Sequence, residues 1–272
     1  MEFKIKTLGG HRRRPAQPCD QPAPSCIFLT ATIAPPLAAV ARHDPQIRLR
    51  DYLASLEFYL SLPADVIDRI LFVDNSASDI APIEEFVRTR VNDKIVELIS
   101  FQGNDHPVSY GKAYGEFKLL DFGLKHTSLL SPDDHFWKVT GRLKVLNLAE
   151  VIAAVTCDYD VLCDLHNFPL VGTGKAFANH WMDLRLFSCR FGAYQSLFAG
   201  KFEEFGPRMN QDVLYEVVMD ARRHMKILPR FGEQPLISGM SGRHDRDYHS
   251  GLQRLKTVVR ASVRKAVPFL WV

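Results

Sequence analysis

The sequence predicts an α/β fold with a mostly parallel central sheet. Short apolar runs, which suit buried strands, alternate along the chain with amphipathic stretches, which suit helices. The apolar run 70–73 stops abruptly at Asp74 and a string of small residues. A buried strand that ends in this way delivers a polar side chain to the carboxyl edge of the sheet, where ligands of open α/β sheets bind. The composition, 46% hydrophobic and 24% charged, is that of an ordinary globular domain.

Each element is predicted from a local pattern. Residues 51–62 place Tyr52 and Tyr59 on one helical stripe, and Asn147 with Glu150 fits a capping box at the start of a later helix. Further helices are predicted from residue 80 and over 111–124 and 212–225. The predicted strands are 26–33, 70–73, 95–101, 136–139, 160–165, 181–188 and 226–229.

Composition divides the chain into three segments. Residues 1–25 are rich in Pro, Gly, Gln and Arg without periodicity, so we predict a disordered basic tail there. The α/β domain is predicted over 26–240. Residues 241–272 are predicted to form a polar loop and a basic amphipathic C-terminal helix, which carries Arg254, Arg260, Arg264 and Lys265 on one side. Such a helix suits the surface of an anionic membrane, and equally a helix that packs its apolar side on the domain.

Charge and composition exclude several classes of protein. The net charge is +3, but the last 22 residues hold five basic side chains and no acidic one, so the body of the chain is acidic. An acidic body argues against a nucleic-acid partner. No apolar run has the length of a membrane span, and the N-terminus lacks the apolar part of a signal peptide, so we expect a cytoplasmic protein. The five cysteines form no CxxC pair, which favours reduced thiols over a zinc site.

Short motifs at the ends of the predicted strands follow one another in a distinctive order. They are Thr30-Ala-Thr32, Asp74-Asn-Ser-Ala-Ser-Asp79, Gly103-Asn104 through Gly111-Lys112, Thr140-Gly-Arg142, and Gln211-Asp212 followed by Lys226-Ile-Leu-Pro229. Over roughly residues 26–235 this order resembles the nucleotide-diphosphate-sugar glycosyltransferases of the GT-A type, in particular their large inverting family 2. The resemblance implies a single GT-A-like domain and a role in bacterial surface-polysaccharide biosynthesis. The expected acceptor is a growing or lipid-linked glycan of lipopolysaccharide, O-antigen or capsule.

The resemblance also implies which residues bind the nucleotide-sugar donor. They are Thr30, Ala31, Thr32, Asp74, Asn75, Ser76, Gly111, Lys112, Thr140, Gly141 and Arg142. The chain departs from the family where Thr140-Gly-Arg142 replaces an Asp-x-Asp turn, whose carboxylates hold a divalent cation. An arginine offers a fixed positive charge and a fork of donors to phosphate instead. No cofactor is therefore firmly predicted, and Mn²⁺ or Mg²⁺ is the alternative that the family implies.

An inverting glycosyl transfer needs a carboxylate that takes the proton of the acceptor hydroxyl. Asp212 is the first candidate because it matches the second position of the family's Glu-Asp pair. Asp183 and Glu216 are second candidates. An acidic residue at a helix start is also a common cap, and Asp183 has Arg185 close in sequence as an ion-pair partner.

Two other functions remain open at the level of sequence. A nucleotidyltransferase shares the nucleotide-binding strands but makes a stronger demand on metal carboxylates, and their absence from the turn after strand 136–139 counts against it. If binding requires a metal ion, Asp158, Asp160 and Asp164 are the remaining candidates for its ligands. A catalytically inactive GT-A-fold adaptor would use the basic ends of the chain to recruit partners to a membrane. Loss of the Asp-x-Asp turn favours the adaptor, and turnover of a nucleotide sugar would exclude it.

Overall fold

The computed structural model describes residues 3–9, 25–36, 40–90, 93–167 and 180–241. Within these ranges the strands are β1 (Phe3–Leu8), β2 (Ser25–Ala31), β3 (Ile67–Asp74), β4 (Ile95–Phe101), β5 (His135–Thr140), β6 (Lys144–Val145), β7 (Val161–Leu162), β8 (Leu165–Asn167), β9 (His180–Met182), β10 (Leu186–Arg190), β11 (Ile227–Leu228) and β12 (Ile237–Ser238). The α-helices are α1 (Pro45–Ser61), α2 (Ala81–Arg88), α3 (Gly111–His126), α4 (Leu148–Ala153), α5 (Phe191–Leu197), α6 (Lys201–Phe205) and α7 (Gln211–Ala221).

One large sheet organises the described part of the chain. Its eight strands stand in the order β1-β4-β3-β2-β5-β10-β7-β11. The pairs β4–β3, β3–β2, β2–β5 and β7–β11 are parallel, whereas β1–β4, β5–β10 and β10–β7 are antiparallel. From β2 the chain proceeds to β3 and β4 on one side and later returns to β5 on the other. The carboxyl ends of β2 and β5 therefore form a topological switch point, where open α/β sheets bind ligands.

Helices cover both faces of this sheet. Alternate side chains of a strand point to opposite faces, and the two faces of β2 and β3 belong to two separate hydrophobic clusters. On one face Phe28 and Val73 pack with helices α3, α5, α6 and α7. On the other, Ile27 and Phe72 pack with α1, α2 and α4. The α/β class with a mostly parallel central sheet, predicted from the sequence, is confirmed.

The first described strand corrects the predicted tail over 1–25. Phe3–Leu8 forms β1, which pairs in antiparallel register with residues 96–101 of β4, so the tail prediction is wrong for these residues. This strand was not predicted from the sequence because most of its side chains are exposed at the sheet edge, so its apolar pattern is weak. Residues 10–24 lie outside the described part of the chain, as does the predicted C-terminal helix over 251–272.

Four other predictions of local structure differ from what the structure shows. The predicted helix 51–62 begins earlier, at Pro45, because the Asp44 side chain accepts hydrogen bonds from the N–H groups of Gln46 and Ile47. The predicted strand 181–188 is interrupted and forms β9 and β10, while 160–165 spans β7 and the start of β8. Asn147 precedes α4 but makes no capping bond, since its side chain is hydrogen-bonded to the backbone of Gln234 and Leu236. No helix of the described residues is long and apolar enough to span a bilayer.

Candidate active site

A cavity of about 680 Å³ opens where the topology places a ligand site. The carboxyl ends of β2 and β5 contribute Thr30, Thr32 and Thr140 to its lining, and Asn75, which follows β3, also lines it. The start of α3 closes one side with Lys112. A volume of this size falls in the range of ligand pockets for small molecules and cofactors.

Most of the residues predicted to bind a donor meet in this cavity. Eight of the eleven line it, namely Thr30, Ala31, Thr32, Asn75, Gly111, Lys112, Thr140 and Arg142. They come from β2, the turn after β3, the start of α3 and the turn after β5. The Thr32 hydroxyl donates to Asn75 Oδ1 at 2.7 Å, so these two side chains hold each other in place at the cavity wall. The three others, Asp74, Ser76 and Gly141, do not belong to the lining.

The carboxylate of Asp74 is buried and forms hydrogen bonds within the protein. Its side chain is fully buried, and its carboxylate accepts hydrogen bonds from the N–H groups of Ile33, Ser76 and Ser78 and from the hydroxyls of Ser76 and Ser100. This placement disagrees with the prediction that Asp74 contacts a nucleotide directly. Asp74 fixes the two loops that follow β2 and β3, and the adjacent Asn75 reaches the cavity. Ser76 is engaged in the same network.

Gly141 lets the turn after β5 approach β2 closely. Its N–H donates to the carbonyl of Thr30 at 2.8 Å, and a Cβ at this position would lie 2.7 Å from that oxygen. Any other residue would push the turn outward. The next residue, Arg142, lines the cavity, and its Nε donates to the Met240 carbonyl at 2.9 Å. Gly141 therefore sets the position from which the Arg142 guanidinium faces the cavity.

An ion pair at the floor of the cavity was not predicted from the sequence. Glu116 of α3 lines the cavity with an 8% exposed side chain, and Lys138 of β5 lies fully buried behind it, with Nζ 2.5 Å from Glu116 Oε1. The Thr30 hydroxyl donates to the same carboxylate oxygen at 2.7 Å. Lys138 also donates to the Leu184 carbonyl. The pair thus joins the two central strands to α3.

The pKa values of this pair follow from burial and mutual attraction. Burial disfavours the charged form of Glu116, yet the nearby charges of Lys138 and Lys112 outweigh it and lower its pKa to about 2. For Lys138 burial dominates and lowers its pKa to about 8, although Glu116 favours the protonated form. Both side chains are therefore ionised at neutral pH.

Asp183 is the only one of the three predicted catalytic carboxylates that lines the cavity. It lies in the break between β9 and β10, and both of its oxygens accept hydrogen bonds from Nε of Arg185, at 3.0 and 2.9 Å. Burial raises the pKa of Asp183, but the positive charge and hydrogen bonds of Arg185 prevail and hold it well below the ordinary range. Asp183 is thus an ionised carboxylate whose orientation Arg185 fixes.

The other two carboxylates lie outside the lining. Asp212 is exposed in the first turn of α7, where the neighbouring residue Gln211 lines the cavity and donates to the Met182 carbonyl at 2.9 Å. Glu216 is one turn further along α7 and pairs with His180 at 2.8 Å. The sequence motif placed Asp212 on the correct helix but not on the side that faces the cavity.

The charged groups of the lining suit an anion better than a metal ion. Four cationic side chains, Arg48, Lys112, Arg142 and Arg185, accompany two carboxylates, Glu116 and Asp183. Each carboxylate is already paired with a cation. Among the described residues, no group of three His, Cys, Asp or Glu side chains is arranged to hold a metal ion. These donors do not fit the Mn²⁺ or Mg²⁺ that the family implies.

The alternative metal carboxylates do not line this cavity either. Asp158 pairs with Arg190 at 2.5 Å and with Lys226 at 2.8 Å, and Asp160 accepts a hydrogen bond from the N–H of Lys226. Asp164 lies beside the His166 ring, 3.6 Å away. Asp158 and Asp160 thus link the start of β11 to the end of β10.

Comparisons with known proteins give similarities of fold. No family model matches the chain, and no curated protein sequence is significantly similar to it. Among solved structures, the inositol-1-phosphate CTP transferase of T. maritima is 14% identical, with a TM-score of 0.49 over 89% of this chain and 98% of that chain. A putative nucleotide-diphospho-sugar transferase from Desulfovibrio desulfuricans G20 is 14% identical, with a TM-score of 0.44 over 76% and 79%. Mouse xyloside xylosyltransferase 1 is 10% identical, with a TM-score of 0.39 over 74% and 82%. At these identities the likeness concerns the fold alone.

Proposed function

We propose that the protein transfers a glycosyl group from a nucleotide-activated donor to a glycan acceptor. The observation that carries this proposal is the cationic cavity at the switch point between β2 and β5, in which Lys112 and Arg142 face a space large enough for a nucleotide sugar. Open α/β sheets bind nucleotides at this place, and an excess of fixed positive charge suits phosphate groups.

In the proposed reaction the acceptor hydroxyl oxygen forms a bond to the anomeric carbon of the sugar. The bond from that carbon to the phosphate oxygen breaks, and the departing nucleotide takes the bonding electron pair. Arg142 and Lys112 stabilise the charge that develops on the departing phosphate, because fixed donors in a cavity act where the charge appears. In this proposal the two side chains do the work that a divalent cation does in enzymes with an Asp-x-Asp turn.

Asp183 is our proposed acceptor of the hydroxyl proton. It is the predicted catalytic carboxylate that lines the cavity, and its ionised state leaves it free to accept a proton. Its depressed pKa makes it a weak base, so we expect its larger contribution to be the orientation of the hydroxyl. Inversion at the anomeric carbon follows if Asp183 and the leaving phosphate lie on opposite sides of the sugar. Asp212 and Glu216 do not belong to the cavity lining.

The acceptor and the place of the reaction are proposed from the sequence. A surface glycan of the lipopolysaccharide, O-antigen or capsule type is the acceptor that the family resemblance implies. The basic segment 251–272 would hold the protein at the inner face of the cytoplasmic membrane, since it carries five basic residues and no acidic one. Peripheral membrane contact is therefore part of the proposal.

Nucleotidyl transfer is the second candidate function. Two arginines of the lining, Arg48 and Arg142, have no acidic partner among the described residues, and a reaction between a nucleoside triphosphate and a phosphorylated sugar brings several phosphate groups into one cavity. The two candidates differ in the bond that breaks. Glycosyl transfer releases a nucleotide, whereas nucleotidyl transfer releases pyrophosphate.

Product analysis separates the two reactions. The purified protein would be incubated with a panel of nucleotide sugars, and separately with nucleoside triphosphates and sugar phosphates. Release of a nucleoside mono- or diphosphate from one nucleotide sugar supports the proposal, and release of pyrophosphate replaces it with the second candidate. We expect Asp183→Asn to reduce turnover and Asp212→Asn to leave it close to wild type. Absence of both products would favour a non-catalytic adaptor.

A further inference from the structure

Arg48 is a buried cation that forms no ion pair with any carboxylate of the described residues, and the buried Asp74 is separated from it by the peptide group between Thr32 and Ile33. It lies in the first turns of α1, only 3% of its surface is exposed, and it lines the cavity. An isolated buried charge is costly, and buried charged side chains are normally paired with an opposite charge. The partners of Arg48 therefore decide whether it is an ordinary structural residue.

Within the described part of the chain, the groups that accept hydrogen bonds from Arg48 are neutral. Nε donates to the carbonyl of Thr32 at 2.6 Å, Nη1 to the carbonyl of Arg42 at 3.2 Å, and Nη2 to the hydroxyl of Tyr52 at 2.9 Å. These contacts orient the guanidinium, and none of them is an ion pair. A guanidinium has five N–H donors, and three are accounted for here, so two are left for a ligand.

The acidic residues near Arg48 on its own helix are engaged elsewhere. Asp51, three residues further along α1, accepts bonds from both Nε and Nη2 of Arg42, at 2.6 and 2.9 Å. Asp44, four residues earlier, caps the helix through the N–H groups of Gln46 and Ile47. Among the described residues, no carboxylate forms an ion pair with Arg48.

We propose that Arg48 binds a phosphate group of the nucleotide-linked donor, as a further anion contact besides Lys112 and Arg142. This inference rests on the proposed function only for the identity of the anion. Arg48 contacts the carbonyl of Thr32, and Thr32 is two residues from Thr30, whose carbonyl is bonded to Gly141 beside Arg142. The end of β2 therefore connects the two arginines. A phosphate that binds Arg48 supplies the missing negative charge.

A purely structural role for Arg48 would be to clasp the loop that leads from β2 to α1, since its acceptors include Thr32 and Arg42. Three variants separate the two roles. Arg48→Gln removes the charge, Arg48→Lys keeps the charge but loses the fork of donors, and Tyr52→Phe removes one acceptor of Arg48 while the charge stays. The Tyr52 hydroxyl also accepts a bond from the N–H of Thr32 at 2.9 Å, so this variant loosens the same loop.

The test is calorimetric titration of each protein with pyrophosphate, with thermal unfolding in its absence as a check of folding. We expect Arg48→Gln to weaken pyrophosphate binding by about tenfold or more, as for loss of a charged hydrogen bond. Arg48→Lys should lose less affinity for pyrophosphate than Arg48→Gln, and Tyr52→Phe should bind pyrophosphate nearly as tightly as wild type. Unchanged binding by Arg48→Gln overturns the inference, and so does an equal loss in Tyr52→Phe, which would make Arg48 a clasp only.

A second titration, with nucleoside diphosphates, distinguishes this inference from the proposed function. If wild type and Arg48→Gln bind a nucleotide with the same affinity, the proposed function stands and the inference about Arg48 is wrong. If wild type binds neither pyrophosphate nor any nucleotide, both the proposed function and the inference are wrong. Where Arg48→Gln fails to fold, Arg48→Lys and Tyr52→Phe decide between the two roles. If Arg48 only holds the loop, both variants should bind pyrophosphate weakly. If Arg48 binds the anion, both should still bind pyrophosphate.

Discussion

At the scale of single residues, the ion pair between Glu116 and Lys138 is buried at the cavity. It lies between α3 and β5 and is supported by Thr30. Removal of one partner leaves the other as an uncompensated buried charge. Replacement of both by neutral side chains costs far less, because no buried charge is then left without its partner.

We expect Glu116→Gln to lower the free energy of unfolding by roughly 3–5 kcal/mol, since Lys138 then lacks its counter-ion. The double variant Glu116→Gln/Lys138→Met should recover most of this loss. Urea unfolding of the two variants and wild type measures both effects. Glu203→Gln, at an exposed position of α6, is the matched control and should change stability by less than about 0.5 kcal/mol. A double variant as unstable as the single one would show that the pair has no such coupling.

Asp74 was predicted to contact a nucleotide, but its buried carboxylate binds backbone N–H groups and hydroxyls of the surrounding loops and of β4. We expect Asp74→Asn to destabilise the protein by about 2 kcal/mol, because an amide cannot accept all the hydrogen bonds that the buried carboxylate receives from two loops. Asn75→Ala should instead weaken nucleotide binding with little change in stability. Thermal unfolding together with nucleotide titration checks both. Normal stability with weakened binding in Asp74→Asn would restore the direct contact predicted from the sequence.

At the scale of elements, the close packing of α3 on the sheet holds the cavity wall in place. Gly123 lies in this helix where it crosses β2 and β3, and a Cβ there would lie 2.5 Å from Phe28 and 2.8 Å from Val73. The absence of a side chain therefore allows the helix to approach the strands. The amino end of the same helix carries Lys112 and Glu116, so its position affects the site as well as the core.

We expect Gly123→Ala to destabilise the protein by about 2 kcal/mol, although alanine favours a helix by about 1 kcal/mol over glycine. The overpacked methyl group pushes α3 away from β2 and β3. Lys125→Ala, on the exposed side of the same helix, should stay within about 0.5 kcal/mol of wild type. Denaturant unfolding of both variants checks this, and a stabilised Gly123→Ala would refute the close packing.

The sequence predicted elements better than it predicted contacts between them. Strand Ile95–Phe101 has its predicted bounds, because five of its seven residues are apolar and polar residues flank it, which is a strong local signal. Strand Phe3–Leu8 was missed, although the alternation of Phe3, Lys4, Ile5 and Lys6 has the period of a strand and would have indicated it. The other missed segments were short helices such as α5 and α6, whose periodic signal is weak.

The site was predicted where a local motif marks the end of a strand, and not where it depends on packing. Thr30 lies at the end of a strand and Asn75 and Arg142 follow strands, so their positions in the cavity could be inferred from the order of elements. Arg48 and Glu116 are charged residues on helices, which a sequence assigns to a solvated face. Their burial follows from the way α1 and α3 pack across the sheet, and no local pattern contains that information.

At the scale of the whole molecule, the paired carboxylates of the cavity make the stability of the fold depend on pH. The pKa of Glu116 is lowered to about 2 from an ordinary value of 4.5. The unfolded chain therefore binds a proton more readily than the native protein in this range, and stability falls as pH decreases from about 4.5 towards 2. Asp183 acts in the same direction, since its pKa is lowered as well.

We expect the free energy of unfolding of wild type to decrease over this acidic range, and the double variant Glu116→Gln/Lys138→Met to show a shallower decrease because one of the two carboxylates is gone. Denaturant unfolding at a series of pH values between 2 and 7 measures both slopes. Identical slopes in the two proteins would mean that Glu116 titrates alike in the native and unfolded states.

The central claim is that the cavity between β2 and β5 binds a nucleotide-linked donor through arginine and lysine. The most direct test is calorimetric titration with UDP, GDP, CMP and dTDP, each in Mn²⁺ and in EDTA, on wild type and Arg142→Gln. We expect one nucleotide to bind with equal affinity in Mn²⁺ and EDTA, and Arg142→Gln to bind it about tenfold more weakly. Binding that requires Mn²⁺, or that Arg142→Gln leaves unchanged, would contradict the account.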